Sequence, residues 1–142
     1  MAAVLRDMTD MDRLEFACLA GKPDPEPVLR EMVRRSRRSR AAYVDGRLAA
    51  VYGVFAPTVL SDEGNPWLVA TNAVHLPAVR RAFIAGTTQE FAWLSDGFRR
   101  LWNLVHADNA VAIRWLRWMG FRFDADEWPV RGQRFLRFSM EA

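Results

Sequence analysis

Apolar residues recur along the chain in two rhythms, and the places where one gives way to the other mark the elements. Ala2–Leu5 reads as a short first strand. Thr9 or Asp10 then caps a helix that carries Met11, Leu14, Phe16, Cys18 and Leu19, and Gly21-Lys22-Pro23-Asp24-Pro25 breaks it. A second helix starts near Pro25 to Pro27, where proline suits a first turn, and runs through Val28, Leu29, Met32 and Val33 into an arginine run. Ala41–Val44, Asp45-Gly46 and Arg47–Phe55 form a hairpin with a tight turn, the strongest local signal in the chain.

Ser61–Pro66 reads as a loop, and Trp67–Thr71 as a strand apolar enough to lie centrally in a sheet. From Pro77 to about Leu94 the spacing predicts a long helix that exposes Arg80 and Arg81, buries Val79, Phe83, Ile84 and Phe91, and stops at Gly97. Leu101–Val105 is the next strand, followed by a helix from Asn109 to Met119 that Gly120 ends. Phe121–Phe123 and Arg134–Phe138 alternate as two half-exposed strands, joined through Pro129–Gly132.

A length of 142 residues suits one core, so residues 1–142 are expected to form a single domain. Hydrophobic residues make up 51% and charged residues 26%, which excludes wholesale disorder. The net charge of +3 permits weak attraction to polyanions without requiring it. Lys22 is the one lysine among 20 basic residues, a skew that fits a GC-rich genome as well as phosphate contact. A single cysteine, Cys18, rules out an intramolecular disulfide, and its apolar neighbours suggest a buried thiol. The N-terminal residues show neither a leader nor a spanning segment, so no membrane contact is expected and synthesis in a reducing cytoplasm is the default.

The order strand, helix, helix, three strands, helix, strand, helix, two strands resembles the GNAT acetyltransferase fold. The resemblance is reinforced by Asn109, Ala112, Gly120 and Phe121, which fall where that family carries Asn, Ala and a terminal Gly-Phe pair. It implies an α/β domain with a mixed central sheet of about six or seven strands flanked by about four helices. Asp45-Gly46 with Tyr52-Gly53-Val54, the run Gly64–Thr71, the run Leu101–Asn109 and the run Ile113–Phe121 also resemble the internal virion protein family of short-tailed phages, a degenerate branch of the same fold. That second resemblance implies a non-catalytic phage or prophage protein of the virion or its assembly, with other virion proteins as partners. Its places would be the host cytoplasm during assembly and the virion.

Two features bear on enzymatic activity. The stretch Thr71–Ala78 holds no glycine where family enzymes bring bare backbone to a pyrophosphate, and position 116 is Leu where the family commonly has a proton-donating Tyr. The expectation is a pseudoenzyme without cofactor or metal. The alternative is a divergent acetyl-CoA-dependent N-acetyltransferase holding its cofactor near Thr71 and Asn109, with Asp62, Glu63, His75 or His106 open as general bases. Two histidines and one cysteine, far apart, are too few for a zinc site.

Arg34, Arg35, Arg37, Arg38 and Arg40 could make weak nonspecific DNA contacts, or could simply decorate a solvated helix end. Six tryptophans exceed the needs of a small core. On the last helix Ala112, Leu116 and Met119 form one apolar stripe, and Val111, Trp115 and Trp118 a second. Trp115 and Trp118 could therefore face a protein partner, or pack beneath the C-terminal strands.

Overall fold

In the computed structural model, which describes residues 2–141, helices α1 (Ala2–Asp7), α2 (Asp10–Ala20) and α3 (Pro25–Arg35) precede strands β1 (Ser36–Val44), β2 (Arg47–Phe55) and β3 (Glu63–Ala70). A 3-10 turn at Asn72–His75 leads into α4 (Pro77–Ser95), followed by β4 (Arg100–His106), α5 (Ala110–Met119), β5 (Arg122–Val130) and β6 (Gln133–Glu141). The six strands form one mixed sheet in the order β1-β2-β3-β4-β6-β5. This is the expected α/β class, with the first strand replaced.

Ala2–Asp7 is helical, which corrects the expected strand and fixes the strand number at six. Val4, fully buried, and Met8 pack with Leu29, Trp67 and Val69 on one face of the sheet, so tertiary burial overrides the short β-like run. The same face receives Phe16, Met32 and Val33. On the opposite face Tyr52, Val54, Leu101, Val105 and Phe138 pack against Leu94 and Phe98 at the end of α4 and Leu116 of α5. Phe121 joins them edge-on to Phe138, with ring centroids 5.1 Å apart.

Helix boundaries follow local chemistry. Thr9 caps α2 by accepting from the Asp12 N–H, Asp24 caps α3 from the Glu26 N–H, and Asn109 caps α5 from the Ala112 N–H. Gly120 ends α5 in a left-handed conformation at φ 107°. On α4 the buried positions are Val79, Thr87 and Leu94, while Ile84 faces solvent. These three positions are eight and seven residues apart, about two turns each, which keeps them on one side of the helix, and Ile84 lies off that line.

Of the arginine run, only Arg34 and Arg35 end a helix, in the last turn of α3. Strand β1 starts at Ser36, five residues before the expected Ala41, so Arg37, Arg38 and Arg40 sit in a sheet edge. Their guanidinium groups are engaged: Arg37 donates to the Val59 and Ser61 carbonyls, Arg38 to Leu94 O at 2.9 Å, and Arg40 to both oxygens of Glu90. Cation–π contacts to Phe98 and Trp93 hold them further. Strand β3 likewise starts early, at Glu63, and takes in the expected loop residues Gly64-Asn65-Pro66.

Cys18 is buried, and its thiol donates to Val130 O at 2.9 Å. Leu14 and Leu19 of the same helix are exposed. Of the second stripe on α5, Val111 and Trp118 face solvent, whereas Trp115 is half-buried with its ring 6.0 Å from that of Phe83. No helix of the described residues is long and apolar enough to cross a membrane.

Candidate functional site

Strands β3 and β4 run parallel and pair only at Glu63↔Arg100 and Gly64↔Leu101. Beyond that point β3 continues with β2 as far as Ala70, and β4 continues with β6 as far as His106, so the inner edges of the two strands diverge into a fork. The sequence itself ends the pairing. Pro66 carries no N–H for a ladder, and the two asparagines beside the split substitute side-chain bonds for main-chain ones. Asn65 Nδ2 donates to Trp102 O at 2.9 Å, and Asn103 Nδ2 donates to Pro66 O at 2.8 Å.

At the open end, α2 inserts two carboxylates. Asp12 Oδ2 accepts the Ala70 N–H at 2.7 Å, on one prong. Glu15 Oε1 accepts both the His106 N–H and Asn109 Nδ2 at 3.0 Å, on the other. Asp12 and Glu15 are one helical turn apart and share a stripe with Cys18, the buried residue of that helix. Burial pushes both carboxyls above their ordinary range, against hydrogen bonds that pull the other way; the charge of Asp12 adds to the rise at Glu15. Among the described residues no arginine or lysine forms an ion pair with either carboxylate. Such a pair of perturbed acids, bonded across the diverging ends of two strands, marks a candidate site for proton transfer.

His106 lies beneath Glu15, almost fully buried. Its Nδ1 accepts the Asp108 N–H at 3.0 Å, which leaves Nε2 to donate to Gln133 Oε1 at 2.7 Å. Both ring nitrogens are therefore occupied. His75, by contrast, is exposed on the 3-10 turn, and Asp62 and Glu63 stand at the closed end of the fork beside Arg99. Of the groups open as bases in the sequence, only His106 bonds to the carboxylate pair, through its N–H to Glu15, while Asp12 and Glu15 themselves are not among the expected residues. The signal that could have found them is the spacing: two acids three apart, on the stripe of a helix that also carries the expected buried cysteine.

Thr71 and Asn109 both lie at the open end. Thr71 is buried and spends its hydroxyl proton on Leu48 O at 2.6 Å and its N–H on Ala49 O at 2.9 Å. Its remaining role is to cap the 3-10 turn through Ala73 N–H. Asn109 caps α5 and holds Glu15. The backbone of 72–78 contains no left-handed residue, so this turn needs no glycine. Leu76 sits at the cap of α4 without a side-chain hydrogen bond and Pro77 follows it, which leaves first-turn N–H groups of a 19-residue helix without a side-chain acceptor. Leu116 is a core residue with no proton to give. Among the described residues no group of three or more His, Cys, Asp or Glu converges as a metal site.

No protein-family profile and no curated protein matches the sequence. Solved structures do. A GNAT-family acetyltransferase from Streptococcus pneumoniae is 15% identical with a TM-score of 0.63, over 99% of this chain and 93% of that one. The ribosomal-protein-alanine N-acetyltransferase of Brucella melitensis is 18% identical with a TM-score of 0.60, over 84% and 79%. A Bacillus subtilis acetyltransferase solved in complex with CoA is 12% identical with a TM-score of 0.61, over 94% and 93%. These matches overturn the expected non-catalytic virion or assembly role: the structures are acetyltransferases, and none supports the internal virion protein family. At such identities the likeness establishes architecture, and by that architecture the chain is an α/β protein of the GNAT acetyltransferase fold.

Proposed function

We propose that this chain is a divergent acetyl-CoA-dependent N-acetyltransferase in which the Asp12–Glu15 pair takes up the proton released by the acceptor amine. The observation that carries this reading is the pair itself: two carboxylates with raised proton affinity and, among the described residues, no arginine or lysine ion pair, fixed at the open end of a forked parallel strand pair. The residues present fit the cofactor at one point, since the uncapped first turn of α4 offers backbone N–H groups and a positive helix end to phosphates. When bound, acetyl-CoA supplies the acetyl group as an activated thioester.

The chain's own part is then to position and to move protons. Glu15 Oε2 has no hydrogen-bond partner among the described residues and can accept from an amine, whereas the Asp12 carboxyl also interacts with the Thr9 side chain. Asn109 and the His106 N–H hold Glu15 in place, while Gln133 and the Asp108 N–H fix the His106 ring beneath it. Leu116 carries no group that could donate a proton.

Calorimetric titration with acetyl-CoA, followed by a thiol-release assay over a panel of amines, tests the proposal. Micromolar binding with amine-dependent thiol release supports it. No heat of binding up to roughly 1 mM would sink it.

A further inference from the structure

On the face of the sheet that carries α3, a groove of about 360 Å³ opens against the closed end of the fork. Its floor is Phe55 and Trp67, its far wall Trp102 and Leu104 of β4, and its near wall Met32 and Arg35 of α3. The volume falls at the lower end of the ~300–1,000 Å³ found for small-molecule sites and accommodates one ring with its substituents. The aromatic lining is held in place. Trp67 Nε1 donates to Ser36 Oγ at 2.9 Å, and the Arg137 guanidinium covers the Trp102 ring at 5.0 Å.

Two charged residues line the groove, Glu31 and Arg35. The Arg35 guanidinium lies 4.8 Å over the Phe55 ring, and among the described residues its one ion pair is a 3.9 Å contact with Glu31. Glu31 itself is taken at both oxygens by Arg34, which also holds its carboxyl below the usual range. The planar donors of Arg35 are thus left to a carboxylate from outside, the partner that guanidinium geometry matches best. Asn65 and Asn103 border the same groove and bridge the start of the fork, so a ligand lying across the ring floor has one end at Arg35 and the other at the split.

We infer that this groove takes a compact aromatic carboxylate, with the carboxylate on Arg35 and the ring against Phe55 and Trp102. The assignment rests on the groove alone and not on the proposed acetyl transfer.

Calorimetry of the full chain with 4-aminobenzoate, benzoate and aniline, together with the indole N–H signals of Trp67 and Trp102, tests it. Both carboxylates are expected to bind at least roughly tenfold tighter than aniline, to shift both indole signals, and to lose that preference in Arg35→Met. Arg35→Lys, which keeps the charge and loses the planar fork, is expected to retain part of it and serves if the Met variant does not fold. Equal binding of all three compounds, no binding of any, or a preference unchanged in both Arg35 variants overturns the inference. Carboxylate binding without any acetyl-CoA binding leaves the groove assignment standing and removes the acetyl-transfer reading. Acetyl-CoA binding without carboxylate binding does the reverse.

Discussion

Glu15 and Asn109 lie 94 positions apart in sequence and meet at 3.0 Å, where Glu15 Oε1 accepts from Asn109 Nδ2. The same oxygen takes the His106 N–H, and Asp12 does the equivalent for Ala70 on the other prong. The two carboxylates thus satisfy main-chain donors that the divergence of β3 and β4 would otherwise leave unpaired. Burial makes this costly for the charged form, and that cost has a pH signature.

Because Asp12 and Glu15 hold their protons more tightly folded than unfolded, the stability they confer is fully present below the ordinary carboxyl value of ~4 and is lost as pH rises through their raised folded values. Melting curves from acid to neutral pH are expected to show this decline. Asp12→Asn with Glu15→Gln should flatten it and melt no lower than the parent at neutral pH, since each amide oxygen still accepts the main-chain N–H. The same double variant should abolish amine-dependent thiol release. A pH dependence identical to the parent's would contradict the assignment of these two groups.

Gly64 stands where β3 last touches β4. A Cβ there would lie 2.8 Å from Phe98 Cε1 and from Val54 Cγ2, both in the core. Gly64→Ala is expected to cost about 1–3 kcal/mol in denaturant unfolding, the range for overpacking a well-filled interior. A loss under a few tenths would mean that Phe98 moves aside freely.

Tyr52 donates its hydroxyl proton to Glu90, which also carries Arg40, tying the middle of the sheet to α4. Burial first, and then Glu90, push the phenol well above its ordinary value. Its contribution is therefore intact below pH ~10 and is lost as pH rises further. Tyr52→Phe should cost about 1 kcal/mol at neutral pH and remove that part of the alkaline decline. Comparing unfolding of parent and variant at both pH values checks the sign.

Asn65 and Asn103 pin the start of the split. Replacing both with Ala leaves the Trp102 and Pro66 carbonyls without these donors, at about 1 kcal/mol each. Faster amide exchange at Gly64 and Leu101 is the expected readout; unchanged exchange there would show that the two rungs hold on their own.

Much of the architecture was legible because local chemistry agreed with it. Asp45-Gly46 turns the hairpin with both residues at positive φ, and Gly120 stops α5 as its position predicts. Errors fell where distant contacts decide. Val4 is helical because its helix docks on Trp67 and Val69, and Arg37 and Arg38 extend a strand because Phe98 and the end of α4 receive them. In the site, Asn109 was legible as a cap and a family match. Asp12 and Glu15 were not, because their significance comes from two strand ends that the sequence places 55 residues or more downstream. Thr71 was legible as part of the open end, yet its hydroxyl is committed to Leu48, which no local pattern reveals.

The sheet order places β1, β2 and β3 on one side of the split and β4, β6 and β5 on the other, joined by two rungs. Mechanically these are two leaves on a hinge, and α2 is the strap across the opening. That strap is tied at both ends: to the two leaves through Asp12 and Glu15, and to the β5–β6 turn, where Arg131 donates to the Cys18 and Leu19 carbonyls.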